Sequence, residues 1–136
     1  DELLPYCREN GIGVVVYSPL QSGLLTGKFD IKRLAPDDWR RKSPMFKEPF
    51  LSKVLSFVNR LRAIAERYGK TVSQLAIAWV LRNPAVTSAI VGARTVEQVE
   101  ENVGASGLKI EDNDLAYIES AFRETIGGPE NVPEPY

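Results

Sequence analysis

Residue types that define several common classes of protein are missing from this sequence. Its 136 residues contain no histidine and a single cysteine, Cys7. A chain without histidine cannot by itself form a typical zinc site or a Ser-His-Asp triad, and one cysteine cannot form an internal disulfide. We therefore expect no metal site, a core position for Cys7, and a reducing, cytoplasmic setting.

Excess charge and long apolar runs are absent as well. The formal net charge is −1, so the chain has no basic field that would attract nucleic acid. No apolar run approaches the roughly 18 residues that a membrane-spanning helix needs. We therefore expect neither nucleic acid nor a membrane as a partner. The sequence begins without methionine, so we expect that Asp1 is not the natural start. Its start is charged and lacks the apolar stretch of a signal peptide, so we expect none there.

The composition is that of one globular domain, with 43% hydrophobic and 26% charged residues. Apolar spacing and turn residues predict both helices and strands. The predicted elements are a helix ended by Asn10 and Gly11, a strand over 13–17, helices over 51–68 and 72–83, a strand over 88–91, a helix from Val96, and a last helix capped by Asp112. Trp79 is assigned to the core. From Gly127 onward we predict no regular structure.

Both predicted strands are apolar runs without alternation. Residues 13–17 therefore match a strand that is covered on both faces, as in parallel sheets flanked by helices, and residues 88–91 match a buried strand. We expect the first of them to be central in its sheet. Because only two strands are evident, a sheet made by this chain alone would leave its edges open.

The segment 29–49 is long for a connection and shows no periodicity. In a compact domain such a segment is usually a lid or a disordered loop, and we expect it to be the most mobile part of the chain. Trp39 lies among arginines there. Its ring either stacks on a ligand or anchors the segment to the surface.

A strand, a turn and a helix start meet around Gly92 and Arg94. Thr95 and Gln98 have the spacing of a capping box that opens the helix. A helix N-terminus offers free N–H groups and a partial positive charge, and Arg94 adds a guanidinium there. These residues predict either a phosphate site or an ordinary strand-to-helix joint with a solvated arginine.

The segment 18–28 follows the first strand and carries hydroxyls, glycines and a lysine. Ligands in α/β proteins bind beyond the carboxyl ends of the strands, which is where this segment lies. The segment is either part of a ligand site or a solvent loop made flexible by Gly23 and Gly27.

Four segments occur in one order that resembles the C-terminal part of the aldo-keto reductases. The resemblance is to the branch related to bacterial reductases and potassium-channel β subunits, and it runs from Asp1 to about Glu124. The segments are 13–20 (GVVVYSPL), 22–28 (SGLLTGK), 76–81 (AIAWVL), and 91–95 (VGART) together with Gln98, Glu101 and Asn102.

The fold of that family is a (β/α)8 barrel. The resemblance implies an α/β chain that holds only the C-terminal portion of the barrel, about the last two strands with their helices. Residues 1–126 would form the cofactor-binding segment of the barrel, and residues 127–136 an irregular tail. Self-association or the missing N-terminal part of the protein would then cover the open edges.

The resemblance also implies an NADP(H)-dependent oxidoreductase that reduces small aldehydes or ketones to alcohols by hydride transfer. The family's catalytic tyrosine, lysine, aspartate and histidine lie on the absent strands. We therefore expect no catalytic residue in this chain, assign no proton-donor role to Tyr17, and expect the chain alone to be inactive. Two alternatives stay open: a nucleotide-binding, regulatory or assembly module like a potassium-channel β subunit, and a fragment with no activity of its own.

The cofactor contacts that the resemblance implies run from the nicotinamide to the adenosine. Tyr17 would lie against the nicotinamide, and Lys28 could reach a phosphate. The pyrophosphate region would be held by Ser18, Leu20, Ser22 and Gly23, and the adenosine end by Gly92, Arg94, Gln98, Glu101 and Asn102.

Two features bear on the preference between NADP and NAD. Arg94 suits the 2′-phosphate that distinguishes NADP from NAD, and the side-chain amides of Gln98 and Asn102 can pair with an adenine edge. Gln98 is alternatively a helix cap. The better-known animal reductases carry a lysine where this chain has Gly92, so the preference between the two cofactors stays open.

Overall fold

Two parallel strands form the sheet of this protein, whose computed structural model describes residues 2–134. Strand β1 is Val14–Tyr17 and strand β2 is Val86–Ile90, with Tyr17 paired to Ile90. The α-helices of the described part are α1 (Leu3–Glu9), α2 (Phe50–Arg67), α3 (Val72–Leu81), α4 (Val96–Val103) and α5 (Asp112–Ile126). Because the strands are parallel neighbours, the segments that follow them leave the sheet at the same edge.

The start of α3 follows the local chemistry predicted from the sequence, and that of α4 follows it in part. At α3 the Thr71 hydroxyl accepts from the N–H of Gln74 at 3.2 Å, and the Gln74 side chain accepts from the N–H of Thr71 at 3.0 Å. This reciprocal capping box is confirmed. At α4 the Thr95 hydroxyl accepts from the N–H of Gln98, but the side chain of Gln98 accepts from Arg94 instead.

The apolar core lies between helices rather than on the sheet. Helix α2 buries one face against α5, where the rings of Phe57 and Phe122 meet edge to face at 5.7 Å. The segment before α2 contributes the buried Phe46. Cys7 is buried on α1, as predicted. No helix within residues 2–134 has the length and apolar character needed to cross a membrane.

The sheet does not have the two covered faces that its apolar strands predict. Tyr17 is 79% exposed and Ile90 is 61% exposed. Alternate residues of a strand point to opposite faces, and only one face of this sheet is covered by the described helices. The predicted boundary is also wrong for the second strand, which begins at Val86 because that residue already pairs with Val14.

The segment 29–49 contains regular structure that its sequence did not predict. Three short 3-10 helices, Ile31–Arg33, Trp39–Arg41 and Pro44–Phe46, follow one another there. Elements of three residues are too short to show a periodicity, which is why they were not predicted. The disordered alternative is wrong, and the lid alternative stays a prediction. Trp39 lies edge-on against the ring of Phe46 at 5.8 Å, the contact expected of an anchor.

Three smaller expectations also need correction. Trp79 is not enclosed in the core: it is 36% exposed, and the guanidinium of Arg82 lies 3.8 Å from its ring centre. Asp112 is the first residue of α5, and Glu111 precedes it as the N-cap residue. In the tail, Pro129–Asn131 form one 3-10 turn, and residues 135 and 136 lie outside the described part.

Candidate functional site

An open cavity of about 1090 Å³ lies beyond the carboxyl ends of β1 and β2. Every residue assigned to the cofactor from the sequence lines it. These residues are Tyr17, Ser18, Leu20, Ser22, Gly23, Lys28, Gly92, Arg94, Gln98, Glu101 and Asn102. The parallel register explains this convergence, because it places the segment after Tyr17 beside the segment after Ile90. A smaller cavity of about 370 Å³ between α1 and the turn at Asn83–Ala85 contains none of them.

One wall of the cavity is the turn that follows β1. Its backbone is left-handed at three residues other than glycine, with φ of 55° at Ser18, 46° at Gln21 and 53° at Ser22, and also at Gly23 with 102°. At the three residues other than glycine such conformations cost on the order of 1–3 kcal/mol each and persist only where the surroundings hold them. The turn therefore has a defined shape that depends on support from its neighbours.

The opposite wall is the segment between β2 and α4. The Gln98 side chain accepts a hydrogen bond from the backbone N–H of Arg94 at 2.7 Å, and the Asn102 side chain donates to the carbonyl of Gly92 at 3.5 Å. Both carboxamides therefore hold the loop at Gly92–Arg94 in this structure. The contact of Gln98 lies one residue before the Thr95 N-cap, so it supports the helix start without completing the predicted capping box.

The aromatic ring of Tyr17 stands at the end of β1, where the strand meets the cavity. With 79% of its surface exposed, the ring offers a flat apolar face toward a planar ligand.

The charged residues of the lining are balanced, with three cations (Lys28, Arg40, Arg94) and three carboxylates (Asp37, Asp38, Glu101). Two ion pairs form among them, Lys28 with Glu101 at 3.2 Å and Arg40 with Asp38 at 2.7 Å. Arg94 has no carboxylate partner within residues 2–134. It is therefore the cation of the lining that is available to an anionic ligand.

The two paired carboxylates have lowered pKa values. Hydrogen bonds from the side chain and backbone of Arg40 lower the pKa of Asp38 to about 2. The hydroxyl of Thr71, and after it the ammonium of Lys28, lower the pKa of Glu101. Both groups are ionised at neutral pH, so neither is suited to donate a proton there.

Among the lining residues that sequence reasoning did not assign to the site are Asp38 and Arg40. Arg40 binds the Asp38 carboxylate through Nε and Nη2, and its Nη1 donates to the carbonyl of Ser22 at 3.1 Å. A local signal was present, since Asp38 caps a 3-10 helix and stands two residues before Arg40. The contact with Ser22 had no sequence signal because it depends on how the 29–49 segment folds back.

Two parallel strands, each followed by helices, with a cavity at their carboxyl edge, have the arrangement of part of an α/β barrel. Comparison with solved structures agrees. The chain superposes on the glycerol dehydrogenase AKR11B4 from Gluconobacter oxydans with a TM-score of 0.83 and 31% identity, covering 93% of this chain and 38% of that protein. Residues 1–123 match the model of the aldo/keto reductase family. The chain belongs to the aldo/keto reductase family.

Its relatives include enzymes and a channel subunit. It is 40% identical over 118 residues to the NADH-specific methylglyoxal reductase of Escherichia coli K12, covering 87% of this chain and 36% of the relative. Identity is 36% over 131 residues with the aldo-keto reductase YhdN of Bacillus subtilis 168, at 95% and 40% coverage. A probable voltage-gated potassium channel subunit beta of Arabidopsis thaliana is 42% identical over 108 residues, at 76% and 33% coverage. The chain thus spans between a third and two fifths of these relatives' lengths.

Proposed function

We propose that this chain is the cofactor-binding part of an oxidoreductase that uses NADP(H) to reduce aldehydes or ketones to alcohols. The observation that carries the proposal is the cavity, because all eleven residues assigned to a cofactor by resemblance line that one space. Family membership supports the same reaction class. Because the chain covers only part of its relatives, the activity is proposed for the whole protein that contains it.

The lining has the chemistry that a nicotinamide dinucleotide requires. The exposed ring of Tyr17 offers a stacking face for the nicotinamide, and the turn at Ser18–Gly23 presents backbone groups to the pyrophosphate. Arg94 precedes α4, so the helix N-terminus and an unpaired guanidinium face the same region. That combination suits the 2′-phosphate of NADP.

The cofactor preference follows from Arg94 in this proposal. The Escherichia coli relative is described as NADH-specific. A guanidinium strengthens the binding of a nucleotide mainly when that nucleotide carries a phosphate close enough to pair with it. We therefore expect Arg94 to strengthen NADPH binding more than NADH binding.

The bound nicotinamide would supply the hydride, and this chain's own residues would hold and orient it. In this proposal the proton donor and its partners belong to a part of the protein outside this chain. Asp38 and Glu101 are not suited to that role, because their lowered pKa values keep both carboxylates ionised. The chain alone is therefore expected to be inactive. The ordered 29–49 segment lines the cavity and would shape the entry of a small carbonyl substrate.

The exposed sheet supports a further part of the proposal. Tyr17 and Ile90 are paired across the sheet and exposed, and Val96 and Val103, the first and last residues of α4, are exposed as well. Surfaces of this kind need a cover, supplied by the rest of the barrel or by self-association.

We place the protein in the cytoplasm, because a single cysteine is typical of a chain in a reducing compartment.

A second candidate function is a regulatory or assembly module that binds nucleotide without turnover as its main role. The 42% identity to a plant protein described as a probable potassium channel β subunit favours it. Both candidates require nucleotide in the same cavity. Turnover of small aldehydes by the full-length gene product distinguishes them, since the second candidate predicts nucleotide binding with little or no turnover.

Titration of NADPH and NADH against the full-length gene product and against this chain, followed by protein fluorescence, tests the proposal. We expect both cofactors to bind, and Arg94→Ala to weaken NADPH. Arg123→Ala on α5 is the matched control, because it removes the same charge from an exposed position outside the cavity. Absence of binding by the full-length gene product would refute the proposal.

A further inference from the structure

Strand β2 contains one more residue than strand β1 between two neighbouring pairs of the sheet. Val14 pairs with Val86. The next residue of β1, Val15, pairs with Ser88. Thr87 is therefore an extra residue of β2, which makes a β-bulge. The exposure of the strands agrees, since β1 alternates without a break whereas β2 has two consecutive exposed residues at the bulge.

The side chain of Thr87 joins the bulge to β1. Its hydroxyl oxygen accepts a hydrogen bond from the backbone N–H of Val14 at 3.1 Å. The preceding residue is Gly13, and a Cβ placed there would lie 3.5 Å from the same oxygen. The hydroxyl thus lies against the backbone that leads into β1, at the point where the bulge interrupts the regular ladder. Valine has nearly the shape of threonine but cannot accept this hydrogen bond.

The bulge decides which residues meet at the carboxyl edge of the sheet. Beyond it Tyr17 pairs with Ile90, and both side chains are exposed. If the register at the start of the sheet continued without the extra residue, Tyr17 would stand opposite Ala89, and the side chains of β2 would exchange faces. Arg94 would then follow one residue later beyond the level of Tyr17, a displacement of roughly 3.3 Å.

This register matters for the cavity because its two walls follow the two strands. Tyr17 ends β1 and is assigned to the nicotinamide, and Arg94 lies between β2 and α4 and is assigned to a phosphate. One ligand has to reach both residues. A change in their spacing therefore weakens its binding even where both side chains are present.

We propose that Thr87 is a positioning residue, whose hydroxyl fixes the register of the two strands and thereby the spacing between Tyr17 and Arg94. The inference rests on the proposed nucleotide site. Thr87 does not line that cavity, so its effect on a ligand passes through the sheet.

Removal of the hydroxyl tests this role. In Thr87→Val the N–H of Val14 loses its acceptor, while the shape of the side chain is kept. We expect the full-length gene product with Thr87→Val to bind NADPH about three- to ten-fold more weakly, the range that one hydrogen bond covers. Thr87→Ser keeps the hydroxyl and should recover the affinity. Unchanged NADPH affinity in Thr87→Val would overturn the inference.

Two further measurements separate positioning from general damage to the fold. Adenosine 2′,5′-bisphosphate carries the phosphate assigned to Arg94 but no nicotinamide, so it should bind Thr87→Val and the unaltered protein equally. In an Arg94→Ala background, Thr87→Val should weaken NADPH binding less than it does alone, because coupled residues do not act additively. Equal weakening of both ligands, or additive effects of the two substitutions, would overturn the inference in favour of a purely structural role.

Thr125→Val is the matched control. It makes the same exchange of atoms in a threonine of α5, outside the cavity, whose hydroxyl donates to the carbonyl of Ala121 at 2.7 Å. We expect it to leave NADPH affinity unchanged. A loss as large as that of Thr87→Val would overturn the inference, because any lost threonine hydroxyl would then have the same effect.

Hydrogen exchange follows the contact without nucleotide. The N–H of Val14 should exchange with solvent faster in Thr87→Val than in the unaltered protein, and an unchanged rate would overturn the holding role. The two proposals fail differently. If the full-length gene product binds neither cofactor, the proposed function is refuted and the positioning role falls with it; if it binds them equally well with Thr87→Val, only the role of Thr87 is refuted.

Discussion

Arg40 donates through Nη1 to the carbonyl oxygen of Ser22 at 3.1 Å, and its Nε and Nη2 donate to the carboxylate of Asp38. The contact joins the 29–49 segment to the left-handed turn that forms one wall of the cavity. It places a charge-assisted hydrogen bond on a backbone conformation that needs support.

Removal of Arg40 should therefore loosen the cavity wall. A hydrogen bond to a charged group contributes about 1.5–3 kcal/mol, so we expect Arg40→Ala to weaken NADPH binding about ten-fold or more. Arg33→Ala is the control, since Arg33 pairs with Asp30 in the same segment but does not line the cavity. Equal losses of affinity in the two variants, measured by fluorescence titration, would contradict the role given to Arg40.

The Asp38–Arg40 pair should also make folding stability depend on acid pH. The pKa of Asp38 is about 2 in the folded protein, below its ordinary value of 3.8. Because the pKa is lower in the folded than in the unfolded protein, ionised Asp38 stabilises the folded state at pH values above 3.8. This contribution is lost as the pH falls through the folded pKa of about 2. The difference in free energy of unfolding between the unaltered protein and Asp38→Asn, measured with urea, should therefore become smaller between about pH 4 and pH 2.

The neighbouring carboxylate provides the control for that titration. Asp37 makes no ion pair within residues 2–134. Asp37→Asn should therefore show no comparable narrowing. A gap for Asp38→Asn that stays constant over the same range would show that the ion pair does not form in solution.

Thr71 is expected to matter more for stability than Thr95. Both hydroxyls cap a helix, but that of Thr71 also donates to Glu101. Loss of a cap costs about 0.5–2 kcal/mol, and the second hydrogen bond adds to that cost. Urea unfolding should show a larger loss for Thr71→Ala than for Thr95→Ala, with recovery in Thr71→Ser. Equal losses would mean that the hydrogen bond to Glu101 contributes nothing.

Phe46 tests whether the 29–49 segment is ordered. Its ring is 2% exposed and lies against Phe29 and Trp39. Replacement of a buried phenylalanine by alanine costs about 3–5 kcal/mol, so Phe46→Ala should unfold at much lower urea concentration and should expose the segment to proteolysis. A loss below about 1 kcal/mol would instead fit the disordered loop that was one of the two alternatives predicted for this segment.

Local chemistry and strand geometry account for the part of the site that could be predicted. The cap at Thr71 depends on residues a few positions apart. The presence of Ser18 and Gly92 in one cavity lining follows from two parallel strands ending at one edge. The ion pair of Lys28 with Glu101 joins residues 73 positions apart, and neither residue carries a local signal for it.

The errors in the fold have a physical cause as well. Apolar strands predict burial, but what covers Tyr17 and Ile90 depends on the number of layers around the sheet, which an apolar run does not specify. The same holds for Trp79, whose helical position faces inward by pattern but whose ring lies under Arg82 at the surface. The 3-10 helices of the 29–49 segment are too short to produce a periodic pattern in the sequence.

The central claim is that the cavity beyond β1 and β2 binds a nicotinamide dinucleotide with Arg94 at its phosphate end. The most direct test is the affinity of the full-length gene product for NADPH and NADH in Arg94→Ala and in the control Arg123→Ala. The account predicts about a ten- to hundred-fold loss for NADPH in Arg94→Ala, a much smaller loss for NADH, and no change in Arg123→Ala. Equal effects of the two substitutions, or no cofactor binding at all, would contradict it.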